Sequence, residues 1–337
     1  GYRVGALTTT QSEGAAATIE NILVDKAFVS GVYEVGGLTG YIKPSSLNTN
    51  NTVSNSIISG NYSIGGLTGI CQNSEVSDAT LDNNLIRGAQ YRLGGAVGHA
   101  TGCKGTSIDV KGVNGSVEGG RQAYQVGGVI GYAESYSMCS FCSSSVMVSG
   151  ESEVGGFVGF AANESVSIAN STASGDVFGR VNVGGFAGYI YRGPRFTQCI
   201  ATGNVTFKAQ DAALAQSNFG GFVGSIVDEG HVSKSVASGD VIGEVNVGGF
   251  VGQITGEASE LFDNIANNAT ISGTSGVAGF VGLDSSTDTY FNNNFYLDPN
   301  SGGSCTAFNS VDGTGGCSDG SGNHGINATE LADFNTF

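Results

Sequence analysis

Tryptophan is missing from this 337-residue chain, proline occurs 3 times, and charged residues make up only 12% of it. So little proline excludes a collagen-like triple helix, which needs glycine at every third position beside abundant proline. A hydrophobic share of 39% excludes an acidic disordered tail. No apolar run exceeds a few residues, so no segment is long enough to cross a bilayer as a helix. Basic charge is the scarcer sign: 13 Lys and Arg face 29 Asp and Glu, a formal net charge of −16. That balance argues against nucleic acid as a partner and against anionic membrane, because both need a basic footprint.

Cysteine is sparse as well. Seven cysteines cannot staple a chain of this length throughout, and the number is odd. Cys305 and Cys317 bracket a glycine-rich loop and are the first pair expected to be oxidised. Cys71 and Cys103 are a second candidate, because they follow the same motif in neighbouring repeats. Cys139-Ser-Phe-Cys142 has CxxC spacing, but no second CxxC or His pair completes a zinc set, so structural thiols or a disulfide are the simpler expectation.

Glycine is plentiful, at 57 residues, and it is ordered. A six-residue motif recurs as VGGLTG at Val35, IGGLTG at Ile64, LGGAVG at Leu93, VGGVIG at Val126 and VGGFVG at Val154. It continues as VGGFAG at Val183, FGGFVG at Phe219, VGGFVG at Val247 and VAGFVG at Val277, with a degenerate copy at Val4. A shorter Ser-Gly element sits between copies, ending at Gly31, Gly60, Gly88, Gly150, Gly175, Gly203, Gly239 and Gly273, and is degenerate between 103 and 125. A period of about 30 residues with short segments rich in Val, Ile, Phe, Ser and Thr predicts an all-β parallel solenoid of nine to ten coils. At about 4.8 Å per coil the stack would be roughly 45 Å long. Helical repeats would not tolerate this much glycine. In Val154-Gly155-Gly156-Phe157 a bend at the glycine pair would turn Val154 and Phe157 to the same side. Phe157, Phe186, Phe222, Phe250 and Phe280 then form an interior ladder, continued by the smaller Val129, Ala96, Leu67 and Leu38. Core volume is accordingly expected to grow along the axis.

These copies resemble the GLUG-motif repeat of large secreted surface proteins, such as filamentous-haemagglutinin-like adhesins and immunoglobulin-A-directed metalloproteases. The resemblance covers nearly the whole chain and implies a β-solenoid used as an extracellular stalk or adhesive surface. The catalytic members' HExxH is absent, and His99, His231 and His324 stand alone in the sequence. The repeats are expected over residues 1–287, followed at 288–337 by a non-repeat cap holding the Cys305 to Cys317 loop and a short helix near Thr329 to Phe334. Gly1 enters a repeat directly, as expected of a chain whose leader has been removed, and that first coil is expected to meet another chain or module.

No catalytic residue is expected. Registering the coils on the Ser-Gly element aligns Glu151, Asp176, Asn204 and Asp240 in one outward column, and Glu151, Asp176 and Asp240 are its calcium candidates. A solvated acidic edge is the simpler reading, and no cofactor other than calcium is implied. The stretch from Asp312 to Asn323 has the composition of a calcium loop without EF-hand spacing, and a disulfide-tied surface loop fits it better. Ice binding would need outward Thr on successive coils, and only Thr39 and Thr68 align. Sequons stand at Asn50, Asn61, Asn114, Asn163, Asn170, Asn204, Asn268 and Asn327. The expected function is an extracellular or cell-surface structural or adhesive solenoid: a stalk, an adhesin segment or a filament subunit. Its expected partners are further copies joined head to tail, neighbouring modules, or glycans and host surfaces, without membrane insertion. The alternative is a calcium-dependent carbohydrate-binding or polysaccharide-cleaving β-helix, with Tyr189 and Tyr191 as aromatic platforms.

Overall fold

The computed structural model describes residues 2–7, 17–208, 216–257, 259–287, 289–297 and 324–326. Every strand pairing among them is parallel and joins one coil to the next, and the described residues contain no helix. Three sheets result, of 19, 16 and 9 strands, the smallest marking nine passes of the chain. In one coil the first face holds Ser152–Gly155, the second Val158–Ala162, and the third Ser167–Ala169 with Thr172–Ala173; Val177–Gly179 then returns to the first face.

The motif builds the corner between the first and second faces. The residue before its first Val, Ile, Leu or Phe has positive φ in coil after coil: 48° at Glu34, 49° at Ser63, 57° at Glu153, 53° at Asn182 and 66° at Asn218. The chain then bends at Gly156 and Phe157, and Val154 and Phe157 are both fully buried. The glycines serve closeness of approach here. A Cβ on Gly155 would lie 2.1 Å from the Val158 carbonyl oxygen, one on Gly156 2.2 Å from that of Gly185, and one on Gly159 2.4 Å from the Val126 nitrogen. Each contact is backbone, which cannot move aside as a side chain would.

The phenylalanine ladder is present and wholly interior. Phe157 to Phe186 is 4.7 Å between centroids and the steps through Phe222, Phe250 and Phe280 are 4.9 Å each, with ring planes within 4°. Core volume, however, does not simply grow. The third-face column opposite the glycine pair shrinks as the ladder enlarges, from Val53, Leu81 and Val110 through Ser144 to Ala173, Ala201, Ala237 and Ala266, all buried. A Cβ on Gly37 would meet Val53 at 3.0 Å and one on Gly185 would meet Ala201 at 3.3 Å, which identifies the two sides as facing. Close packing accounts for this exchange over these coils, but the column then ends on the large, buried Tyr296, which follows Ala266 in register and lies 2.2 Å from where a Gly279 Cβ would stand.

The degenerate Ser-Gly element resolves as Ser116–Gly119, paired with Leu85 to Gly88. The elements at Gly175, Gly203 and Gly239 are not equivalent to that at Gly150. Val148 pairs with Val177, so the counterpart of Gly150 is Gly179, and Gly175 lies at the preceding corner. The solenoid also continues past residue 287: Tyr290–Asn292 and Phe295–Leu297 pair in register with the third face, and His324–Ile326 pairs with Phe295–Leu297. The Cys305 and Cys317 pair, the helix expected near Thr329 to Phe334, the Asp312 to Asn323 loop and Asn327 lie outside the described residues.

Candidate functional site

The junction of the first and second faces forms an external furrow. Over the N-terminal coils it encloses 490 Å³ between Tyr33, Tyr62 and Tyr91 on one side and Ile70 on the other, with Glu34, Ser63, Arg92 and Gln125 between them. The tyrosines belong to a stack of five, Tyr2, Tyr33, Tyr62, Tyr91 and Tyr124, with centroids 4.8 to 5.9 Å apart and planes within 18°. Parallel register places them together: Tyr33 pairs with Tyr62, Tyr62 with Tyr91, and Tyr91 with Tyr124. This row is not among the features expected above, although its signal in the sequence is plain: each tyrosine stands two residues before the start of a motif copy.

The opposite wall, on the second face, carries a second aromatic row further along the axis: His99, Tyr132, Phe160 and Tyr189, at 5.0 to 5.2 Å. Tyr189 thus stands within a row, tilted 6.5 Å from Tyr191, and presents no isolated platform. His99 is not solitary. Its Nδ1 accepts from Arg92 Nη1 at 3.2 Å, so the ring proton sits on Nε2, 3.0 Å from Glu134 Oε1. Tyr132 donates to Glu134 Oε2 at 3.1 Å, and the Arg92 guanidinium lies 4.8 Å over the Tyr132 ring. Burial, then the Arg92 charge, hold His99 below the usual imidazole value, so it rests neutral. His231 likewise meets a carboxylate, with Nδ1 2.8 Å from Glu260 Oε2.

Between the rows lies Glu153. Burial pushes its carboxyl up to about 7, Gln125 donates a hydrogen bond to it, and its Oε2 is buried without a partner. In later coils the same position is occupied by amides that form a ladder: Asn246 donates to Asn218, and Asn218 to Asn182, both at 2.8 Å.

The expected acidic column needs correction. Because the Ser-Gly elements fall at two different positions, Glu151 is displaced from Asp176, Asn204 and Asp240, and it forms an ion pair with Arg180 instead. The remaining column is structural: Asp176 Oδ1 accepts from the Asn204 amide at 3.0 Å, Asn204 Oδ1 from the Asp240 amide at 3.0 Å, and Asp240 Oδ1 from the Thr270 amide at 2.9 Å. Among the described residues no group of three or more His, Cys, Asp or Glu is placed to hold a metal. Thr39 and Thr68 are fully buried, so they present nothing to ice.

Cys71 and Cys103 are disulfide-bonded with Cα atoms 5.6 Å apart, and Cys139 and Cys142 form a second disulfide. All four lie in the core, and Cys199 is buried with its thiol pushed up to about 12 by burial. Of the sequons, Asn50, Asn114, Asn170 and Asn204 are exposed and Asn61 and Asn163 half-buried. Asn268 is fully buried and donates to the Gly239 carbonyl at 2.6 Å, which removes it as a glycan acceptor in the folded chain. Comparison with protein-family models, curated proteins and solved structures finds no match.

Proposed function

We propose that the chain is a non-catalytic structural and adhesive β-solenoid of the cell surface or extracellular space, serving as a stalk, adhesin segment or filament subunit of GLUG-repeat type. The observation that carries this reading is the five-tyrosine stack along the furrow, a surface repeated coil after coil with no single point of convergence. Catalysis draws different groups onto one reacting atom. Here charged groups pair along the axis with their own structural neighbours, as Glu151 does with Arg180. Two core disulfides support an oxidising compartment. A coil stack propagates in one direction, so further copies or adjoining modules joined end to end are the partners this reading implies. Immunogold labelling of the producing cell tests it. Label on surface fibres or secreted filaments is the expected result. Label confined to the cell interior, or calcium-dependent release of reducing ends from polysaccharide by the purified chain, overturns it.

A further inference from the structure

We propose that the furrow over the N-terminal coils binds an uncharged, extended β-linked glycan laid along the solenoid axis, with about one sugar per coil. This names the ligand class of the adhesive surface and rests on that reading.

The tyrosine row fixes what the furrow can offer. Ring faces are the usual platforms for sugars, but for Tyr33, Tyr62 and Tyr91 both faces are covered by neighbouring rings, as in the Tyr33 to Tyr62 step of 4.8 Å with planes 9° apart. What remains is a line of ring edges and hydroxyls repeating at the coil spacing. Tyr33 and Tyr91 are 38% and 42% exposed, so these edges are open to a ligand. Stacking also holds the side chains in place, so little freedom is lost on binding.

Charge then selects among polymers. Glu34 is paired with Arg3, and Arg92 is engaged by His99 and the Tyr132 ring. Ser63 and Gln125 contribute neutral donors and acceptors, and Ile70 an apolar wall. Among the described lining residues Arg92 is the cation without a carboxylate partner, but it is half-buried and turned toward His99 and the Tyr132 ring, and a chain of net charge −16 disfavours acidic polymers. An extended peptide would instead add to a sheet edge, parallel to the strands and across the furrow. An extended β-linked hexose or N-acetylhexosamine chain runs along the axis and brings hydroxyls past the row at a comparable pitch. A helically coiled α-linked chain does not.

Titration calorimetry with cellohexaose and chitohexaose tests this, with maltohexaose and a hexagalacturonate as counter-probes. Saturable binding of a β-linked hexamer, and of neither counter-probe, is expected. Tyr62→Phe and Tyr91→Phe keep the stack and remove one hydroxyl each. Each should raise Kd about five- to tenfold with unchanged Tm. Binding of neither β-linked hexamer, equal binding of maltohexaose or hexagalacturonate, or affinity indifferent to both variants overturns the proposal. The surface reading is judged separately by the immunogold experiment and survives a failure here. Shortening of the hexamers, read by chromatography of the same samples, would overturn the non-catalytic reading instead.

Discussion

From Tyr2 to Tyr124 the rings stacked on the first face stand outside the solenoid, over an interior ladder of Leu38, Leu67, Ala96 and Val129; from Phe157 to Phe280 an interior stack takes over, the first-face outer row carries smaller residues such as Ser152 and Ser217, and outside the second-face row reaches Phe160 and Tyr189. Both halves share one backbone corner with the same glycines. What differs is which column supplies bulk, and over most coils the third face offsets it: Val or Leu opposite Leu38, Leu67 and Ala96, and Ala opposite Phe157 through Phe250, with Ser144 opposite Val129 and Tyr296 in the coil of Phe280 as departures. Coil cross-section is therefore a property of paired columns, and the side of the wall that holds the aromatics is free to change. The inner stack consolidates the core, and the outer one is left available for contact.

Breaking the inner stack should have the largest effect. Phe222→Ala empties a fully buried ring position and should cost about 3 to 5 kcal/mol in chemical denaturation. The equivalent cut outside, Tyr62→Ala, removes a half-buried ring and should cost less than half as much. Column compensation sharpens the contrast: Phe222→Leu with Ala237→Val imposes the N-terminal pairing on a C-terminal coil. The double variant should recover about 1 to 2 kcal/mol relative to the sum of the singles. Strict additivity would show that the columns do not share space. Next in size, reducing the Cys71 to Cys103 bond, which spans 32 residues, should cost about 2 to 4 kcal/mol. Because both sulfurs are buried, reduction in native buffer should be slow and should accelerate at denaturant concentrations that open the N-terminal coils.

How much of this was legible in the sequence follows from period and register. The motif copies are nearly invariant, so the coil repeat, the inward Val and Phe positions and the Phe ladder could be read from spacing alone. The Cys71 to Cys103 pair was also within reach, since both residues follow motif copies in adjacent coils. Register elsewhere was not legible. Ala-Ser-Gly at 173–175 and Val-Ser-Gly at 148–150 look alike but occupy different corners, and this displaced Glu151 from its supposed column. A four-residue shift is invisible when both choices bury one apolar residue and turn at a glycine. The furrow was missed for another reason. Its tyrosines stand at a constant offset from the motif, but outward residues leave no mark on a search organised around the core. The burial of Glu153 and the His99 to Glu134 contact depend on side chains from separate coils, which periodicity does not place.

The seam between the halves should make stability depend on pH. Glu153 titrates near 7 in the fold against 4.5 ordinarily, so the folded state favours the protonated form. The unfolded chain loses that proton first, and stability falls as pH rises from about 4.5, the loss being complete above 7. His99 acts in the opposite sense. Its folded value lies below 6.5, so stability falls as pH drops below 6.5 through the lowered value. Glu153→Gln places an amide at the head of the row that already holds Asn182, Asn218 and Asn246. It should stabilise the chain by about 1 to 3 kcal/mol at pH 8.5, change little at pH 5, and leave the acid limb intact. Thermal melts of both proteins across that range check it. An unchanged alkaline limb would show that Glu153 is hydrated in solution.

The smallest effect expected lies in the coil before that of Glu153, where the interior changes from one pairing to the other. Val129 and Ser144 face each other there, and together they are smaller than Leu67 with Leu81 two coils earlier or Phe157 with Ala173 in the next, and about the size of Ala96 with Val110 between. The Ser144 hydroxyl is buried without a partner, and a Cβ on Gly128 would fall 2.2 Å from it. A buried hydroxyl with no hydrogen bond costs stability that a methyl group of similar size does not. Ser144→Ala extends the alanine column by one coil and should stabilise the protein by about 1 kcal/mol. The gain should persist when the Phe ladder is cut at Phe250, which lies several coils away and shares no neighbour with Ser144. If Ser144→Ala instead destabilises, the hydroxyl is bonded to an internal water, and the coil where the two halves meet is a hydrated one.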